Sequence, residues 1–207
     1  MENYITLLGE SRAEYEEKRS RFIARAFPCD SEARAFEILS AVKSECWDAR
    51  HNCYAYVLKD GSARFSDDGE PHGTAGKPIL DCIMGSGAVD VIVVVTRYFG
   101  GVLLGTGGLV RAYSGSAKES LQNAEKVLMC LGTEMAVNCS YSELKLLEKL
   151  ITKSGGNITD TDYTDSVRVF FTLKNEDIEG FSLELTETFS GKISAEELNS
   201  KYFPFKI

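Results

Sequence analysis

The sequence predicts a two-domain chain of mixed α and β structure. Residues 90 to 113 read as strand, glycine loop and helix; the hydrophobic pattern changes near Ala124 to Leu128; and the remainder follows the order β-α-β-β-α-β. The domains are therefore expected at 1–124 and 125–207.

In the first part, Ala13 to Lys18 and Phe22 to Phe27 read as two strands, with Arg19-Ser20 as the turn between them. Ser31 is the expected N-cap of a helix that ends near Cys46, with Ala33, Phe36, Leu39 and Val42 on its apolar face. Asn52 to Leu58 alternates as a third strand, turned by Asp60-Gly61. Ile79 to Met84 reads as a short helix, for which Thr74 is the expected N-cap. The five branched apolar residues Val91 to Val95 predict a strand buried on both faces. Glycines at 100, 101, 105, 107 and 108 then mark a loop, because each glycine inside an element costs roughly 0.5–1 kcal/mol relative to alanine. A helix follows from Thr106 to Asn123. The order is β-β-α-β-α-β-α.

The second part begins with a strand over Val127 to Cys139. A helix runs from an N-cap at Ser142 to Lys153 and ends at Gly155-Gly156. Strands over Asn157 to Tyr163 and Val167 to Leu173 follow, then a helix from Asp177 to Phe189 and a last strand near Lys192. That order is the ferredoxin-like split βαβ motif.

Composition narrows the function classes. The 207 residues carry a net charge of −8. Residues 1–124 hold 14 basic against 17 acidic side chains, or −3, and the rest hold 9 against 14, or −5. This balance argues against non-specific nucleic-acid binding driven by bulk charge and leaves a local basic patch open. No apolar run approaches the ~18 residues of a membrane span, and no signal peptide is visible, so the expected location is cytoplasmic, with no membrane partner. The six cysteines show no CxxC pair and no zinc spacing, and are expected as free thiols.

Two stretches carry chemistry. The loop Gly105-Thr106-Gly107-Gly108 precedes a helix whose free N–H groups and dipole suit an anion. Arg97 and Arg111 flank it and could add bidentate bonds to phosphate. The loop is not a Walker A motif, since no Lys-Ser/Thr ends it, and Val110 stands where a third glycine would complete GxGxxG. Lys77 is a fourth candidate contact. In Asp67-Asp-Gly-Glu-Pro-His-Gly-Thr-Ala-Gly-Lys-Pro78, four residues (Asp67, Asp68, Glu70 and His72) have side chains that could ligate a divalent metal. Ordinary turn chemistry is the competing and stronger reading. Thr74 and Lys77 have hydroxyl-x-x-Lys spacing without a partner motif. Nothing in the sequence pairs His51 or His72 with a Cys or Ser nucleophile. Tyr54, Tyr56, Phe65, Tyr98 and Phe99 are candidates for base stacking, though strand-end aromatics more often pack in a core.

Taken together, Asp67 to Pro78 and Val93-Val-Val-Thr-Arg-Tyr-Phe-Gly-Gly-Val-Leu-Leu-Gly105 resemble the two signatures of the IMPACT/YigZ family. Length and the second βαββαβ domain resemble its bacterial YigZ-like branch. The resemblance implies an α/β N-terminal domain like domain IV of elongation factor G, a ribosomal-protein-type β-α-β fold. It also implies a C-terminal domain like domain V of that factor. Eukaryotic relatives regulate translation by blocking activation of an amino-acid-starvation kinase, partly through an added N-terminal module that this sequence does not show. No catalytic residues and no cofactor come with the family. The expectation is a non-enzymatic protein that binds RNA, the ribosome or a protein partner in translation. The alternative is a metal-assisted enzyme acting on a phosphorylated small molecule.

Overall fold

The computed structural model describes residues 3–207, which divide into two compact units. The first comprises Tyr4–Leu128 with Lys206–Ile207; the second comprises Met129–Phe205 with Asn3.

The first unit runs β1 (Tyr4–Leu7), β2 (Ser11–Glu17), β3 (Ser20–Pro28), α1 (Glu32–Glu45), β4 (His51–Val57), β5 (Ala63–Ser66), α2 (Gly76–Ser86), β6 (Val91–Tyr98) and α3 (Gly105–Asn123). Its main sheet has the order β2-β3-β6-β4-β5, and every adjacent pair is antiparallel. Thus β3-α1-β4 and β5-α2-β6 are crossovers between parallel strands, each with one antiparallel strand between them. The strands β1 and β5, four residues each, are not among the expected elements.

β6 is the middle strand, and Val91 to Arg97 are all buried. Its alternating side chains feed two cores. Val91, Val93 and Val95 pack with Ile79, Ile83, Leu109 and Tyr113 of α2 and α3. Ile92 and Val94 pack with Ile38, Leu39 and Val42 of α1. An unbroken β-branched run therefore marks a strand covered on both faces here too, although the sheet is antiparallel.

Several local expectations are corrected. The β2–β3 turn lies on Lys18-Arg19, both at positive φ, and Glu17 pairs with Ser20. That is the geometry of a two-residue hairpin turn, one residue earlier than expected. The buried face of α1 is Ala35, Ile38, Leu39 and Val42, while Phe36 is exposed. Ser31 does cap α1, accepting the Arg34 N–H. Thr74 does not cap α2: its hydroxyl donates to the Pro71 carbonyl.

The second unit is entered along β7 (Lys126–Cys139) and continues α4 (Leu144–Lys153), β8 (Asn157–Tyr163), β9 (Val167–Lys174), a 3-10 turn (Asn175–Asp177), α5 (Ile178–Thr188) and β10 (Ala195–Lys206). β10 pairs with β7, β7 with β9, and β9 with β8. The core gathers Met135, Leu147, Ile151, Val169, Phe171, Phe181 and Leu185. Ser142 is not the cap of α4. Glu143 holds that position with its carboxylate bonded back to Ser140 rather than to the helix, and the Ser140 carbonyl accepts the Glu143 and Leu144 N–H groups. The last strand starts at Ala195, three residues beyond Lys192, because a turn over Ser190–Gly191 at positive φ comes first. Among the described residues, no helix is long and apolar enough to cross a membrane.

Candidate functional site

The loop between β5 and α2 is built on its own carboxylates. Asp67 Oδ1 accepts the N–H groups of Ala75 (3.0 Å) and Gly76 (2.8 Å), and Oδ2 accepts that of Gly73 (2.8 Å). One side chain thus takes the N–H groups of the cap residue and the first residue of α2 from eight and nine positions upstream. Burial opposes ionisation of Asp67, but the N–H groups of Gly73, Gly76 and Ala75 outweigh it and hold the carboxyl below its ordinary value. Asp68 Oδ2 accepts the Asn52 N–H (2.7 Å), and Oδ1 pairs with Lys43 (2.9 Å). Gly76 lies so close to β5 that a Cβ would come within 2.7 Å of the Ser66 backbone.

Glu70 turns inward. Its Oε1 accepts from Arg97 Nη1 at 2.6 Å and from the Tyr113 hydroxyl at 2.8 Å. The Cys53 thiol reaches the Tyr113 oxygen (3.4 Å) and the Asp67 carbonyl (3.0 Å). Burial, ahead of its neighbours' charges, pushes both Cys53 and Tyr113 well above their ordinary ranges. The thiol is therefore a packed hydrogen-bond donor rather than a nucleophile.

The second loop leaves the end of β6. Arg97 is 5% exposed, bonds weakly to Ser20 Oγ (3.4 Å), and its buried Nε has no partner. Its guanidinium lies 5.5 Å from the ring centres of both Phe22 and Phe99. Gly100 passes against the β2–β3 turn, where a Cβ would be 2.1 Å from the Arg19 backbone. Gly105, at φ +71°, starts α3. This helix has no side-chain cap and no acidic residue in its first turn. Its leading N–H groups and dipole are therefore left for something outside the helix.

A cleft of about 430 Å³ opens there, lined by Arg50, His51, Glu70, Pro71, Arg97 and Phe99 together with Leu103 to Thr106 and Leu109. Of the residues expected at an anion site, Arg97, Gly105 and Thr106 meet in this cleft. Gly107 and Gly108 follow in α3 without lining it, and Gly107 has no positive φ. Arg111 is exposed on α3, and its Nη1 lies 3.8 Å from where a Gly107 Cβ would stand. Lys77 pairs with Asp81 on the surface of α2. The four candidate metal ligands are not brought together, and turn chemistry, the stronger reading, is what Asp67 and Asp68 show. Asp67, Asp68 and Glu70 are each engaged as described, and the His72 side chain is 99% exposed, 3.8 Å from Asp67. Among the described residues, no three His, Cys, Asp or Glu side chains are placed to hold a metal ion.

Residues 18–121 match the Impact N-terminal domain, and residues 137–192 match a domain of unknown function (DUF1949). Over 197 residues the chain is 38% identical to the IMPACT family member YigZ of Escherichia coli (strain K12), across 93% of this chain and 97% of that protein. The chain belongs to the IMPACT family. It is also 34% identical to the IMPACT family member YvyE of Bacillus subtilis (strain 168), over 95% of this chain and 92% of that one. A solved structure titled "Crystal structure of an hypothetical protein" matches with a TM-score of 0.62 at 35% identity, covering 96% of this chain and 98% of that one.

Both loops fall inside the Impact N-terminal span. In this IMPACT chain the salt bridge Glu70–Arg97 is the strut that joins them. Sequence reading missed that strut, since 27 residues separate its ends. It also missed Arg50 and His51 as cleft residues. Their signal is one of register: His51 stands opposite Arg97 across β4 and β6, so the start of β4 reaches the loop that leaves β6.

Proposed function

We propose that the protein is a non-enzymatic cytosolic factor of translation that binds RNA, alone or within the ribosome, through the cleft at the head of α3. The observation that carries this reading is the bare first turn of a 19-residue helix, opening on a cleft where a buried arginine keeps an unpartnered N–H. Helix N-termini bind phosphate readily when no side chain occupies them. Arg50 at the rim and Arg111 over the first turn are exposed cations that make no ion pair among the described residues. Family membership supports a role in translation. The strand order β10-β7-β9-β8 supports a ferredoxin-like reading of the second unit. Against a metal-assisted enzyme stands the engagement of Asp67, Asp68 and Glu70 in the fold itself.

The test is single-stranded RNA binding by fluorescence anisotropy across a salt series. Replacing both Arg50 and Arg111 with alanine should weaken binding evenly across sequences. It should also reduce the log–log salt slope by roughly 0.7 per arginine. Unchanged affinity and slope in the double variant would overturn the reading.

A further inference from the structure

The cleft is two-sided. A phosphate at the head of α3 needs donors and positive charge, yet much of the wall is apolar, formed by Phe99, Leu103 and Leu109 among others. Leu103 is 83% exposed and Phe99 44%. The floor also offers acceptors, which a phosphate avoids. Glu70 receives both of its side-chain bonds on Oε1, so Oε2 has no partner among the described residues. His51 Nδ1 lies 2.9 Å from the Asp68 carbonyl, and a carbonyl oxygen only accepts. A ring hydrogen is therefore on Nδ1, and in that singly protonated tautomer Nε2 is an acceptor, with no partner among the described residues. Arg97 Nε is the one unpartnered buried donor beside them.

We infer that the cleft takes one unpaired nucleotide. Its phosphate lies at the first turn of α3, its base rests on Phe99 and Leu103, and an amino group of the base points to Glu70 Oε2 and His51 Nε2. This rests on the RNA-binding reading above and deepens it. A volume of about 430 Å³ is that of a small-ligand site rather than of a duplex groove. Stacking of splayed bases on aromatic side chains, with hydrogen bonds to their edges, is how proteins commonly read single-stranded RNA. Adenine, guanine and cytosine carry an exocyclic amino group. Uracil presents one N–H between two carbonyls, which would face the two acceptors unfavourably.

The experiment is an NMR titration of the full chain with AMP, GMP, CMP, UMP and ribose 5-phosphate, alongside a mixed-sequence single-stranded oligonucleotide. The amino-bearing nucleotides should shift the amides of Thr106 and Gly107 and bind about tenfold more tightly than ribose 5-phosphate, the difference that one base–aromatic contact makes. UMP should fall between them. Phe99→Ala, at an exposed position, should remove the advantage. Equal binding of ribose 5-phosphate or UMP, or no effect of Phe99→Ala, overturns the single-nucleotide site while oligonucleotide binding upholds RNA recognition. Failure of the oligonucleotide to bind overturns both.

Discussion

Two helices of the first unit begin in glycine-rich loops and treat their first turns in opposite ways. At α2 the Asp67 carboxylate takes the N–H groups of Gly73, Ala75 and Gly76. At α3, Leu104 stands in the cap position, no side chain caps the turn, and no acid follows. Both ends carry the same partial positive charge and the same orphan donors. One is closed by the chain itself, and the other is left open beside a cleft. Glycine density therefore does not tell the two loops apart; they differ in whether the chain supplies its own acceptor. The glycines differ accordingly. Gly76 and Gly100 are demanded by close backbone approach, whereas around Gly107 there is room for a side chain.

The largest effect is expected where the two loops are tied. Arg97→Ala leaves the Glu70 carboxylate buried with Tyr113 as its one side-chain partner among the described residues, and should cost about 3–5 kcal/mol in denaturant unfolding. Arg168→Ala in the second unit breaks a pair with Glu196 whose side chains are 38% and 60% exposed, and should cost no more than about 1 kcal/mol. Comparable losses for the two variants would mean that Glu70–Arg97 is an ordinary ion pair and not a strut.

A pH effect should mark the closed helix end. The Asp67 carboxyl titrates lower in the folded chain than in the unfolded one. Its contribution is therefore complete above the ordinary aspartate pKa of about 3.9 and is lost as pH falls through the folded value. Asp67→Asn should lower the denaturant midpoint at neutral pH and flatten the decline between neutral and acid conditions. If both proteins decline in parallel, the carboxylate is not what closes α2.

Much of the fold was legible because it follows from periodicity. The run Val91–Val95 identified the middle strand, and leucines at helical spacing located α4 and its core-facing Leu147, Leu150 and Ile151. The β-α-β-β-α-β order of the second unit could be read directly. What could not be read depends on contacts between distant residues. The antiparallel sheet removes the rule that ligands gather at the C-terminal ends of parallel strands. The end of β6 matters for a different reason: His51 of β4 is in register with Arg97 there, and α3 starts beside them. The acidic stretch offered four candidate metal ligands beside the stronger reading of ordinary turn chemistry, but its composition does not reveal that Asp67 folds back onto N–H groups up to nine positions away. The loop proposed for phosphate was legible as a glycine-rich helix start, but the apolar wall and the acceptors of the cleft beside it were not, because Leu109, Glu70 and His51 come from three different segments.

The smallest expected change in stability accompanies the most direct test. Thr106 is exposed in the first turn of α3 and lines the cleft. Thr106→Glu places a negative charge at the positive end of the helix, where an acid stabilises by about 0.3–1 kcal/mol. The same charge occupies the position proposed for phosphate. Single-stranded RNA binding should fall at least tenfold in a variant that unfolds at equal or higher denaturant concentration than the wild type. RNA binding at wild-type affinity in that variant would contradict the assignment of the α3 N-terminus as the phosphate site.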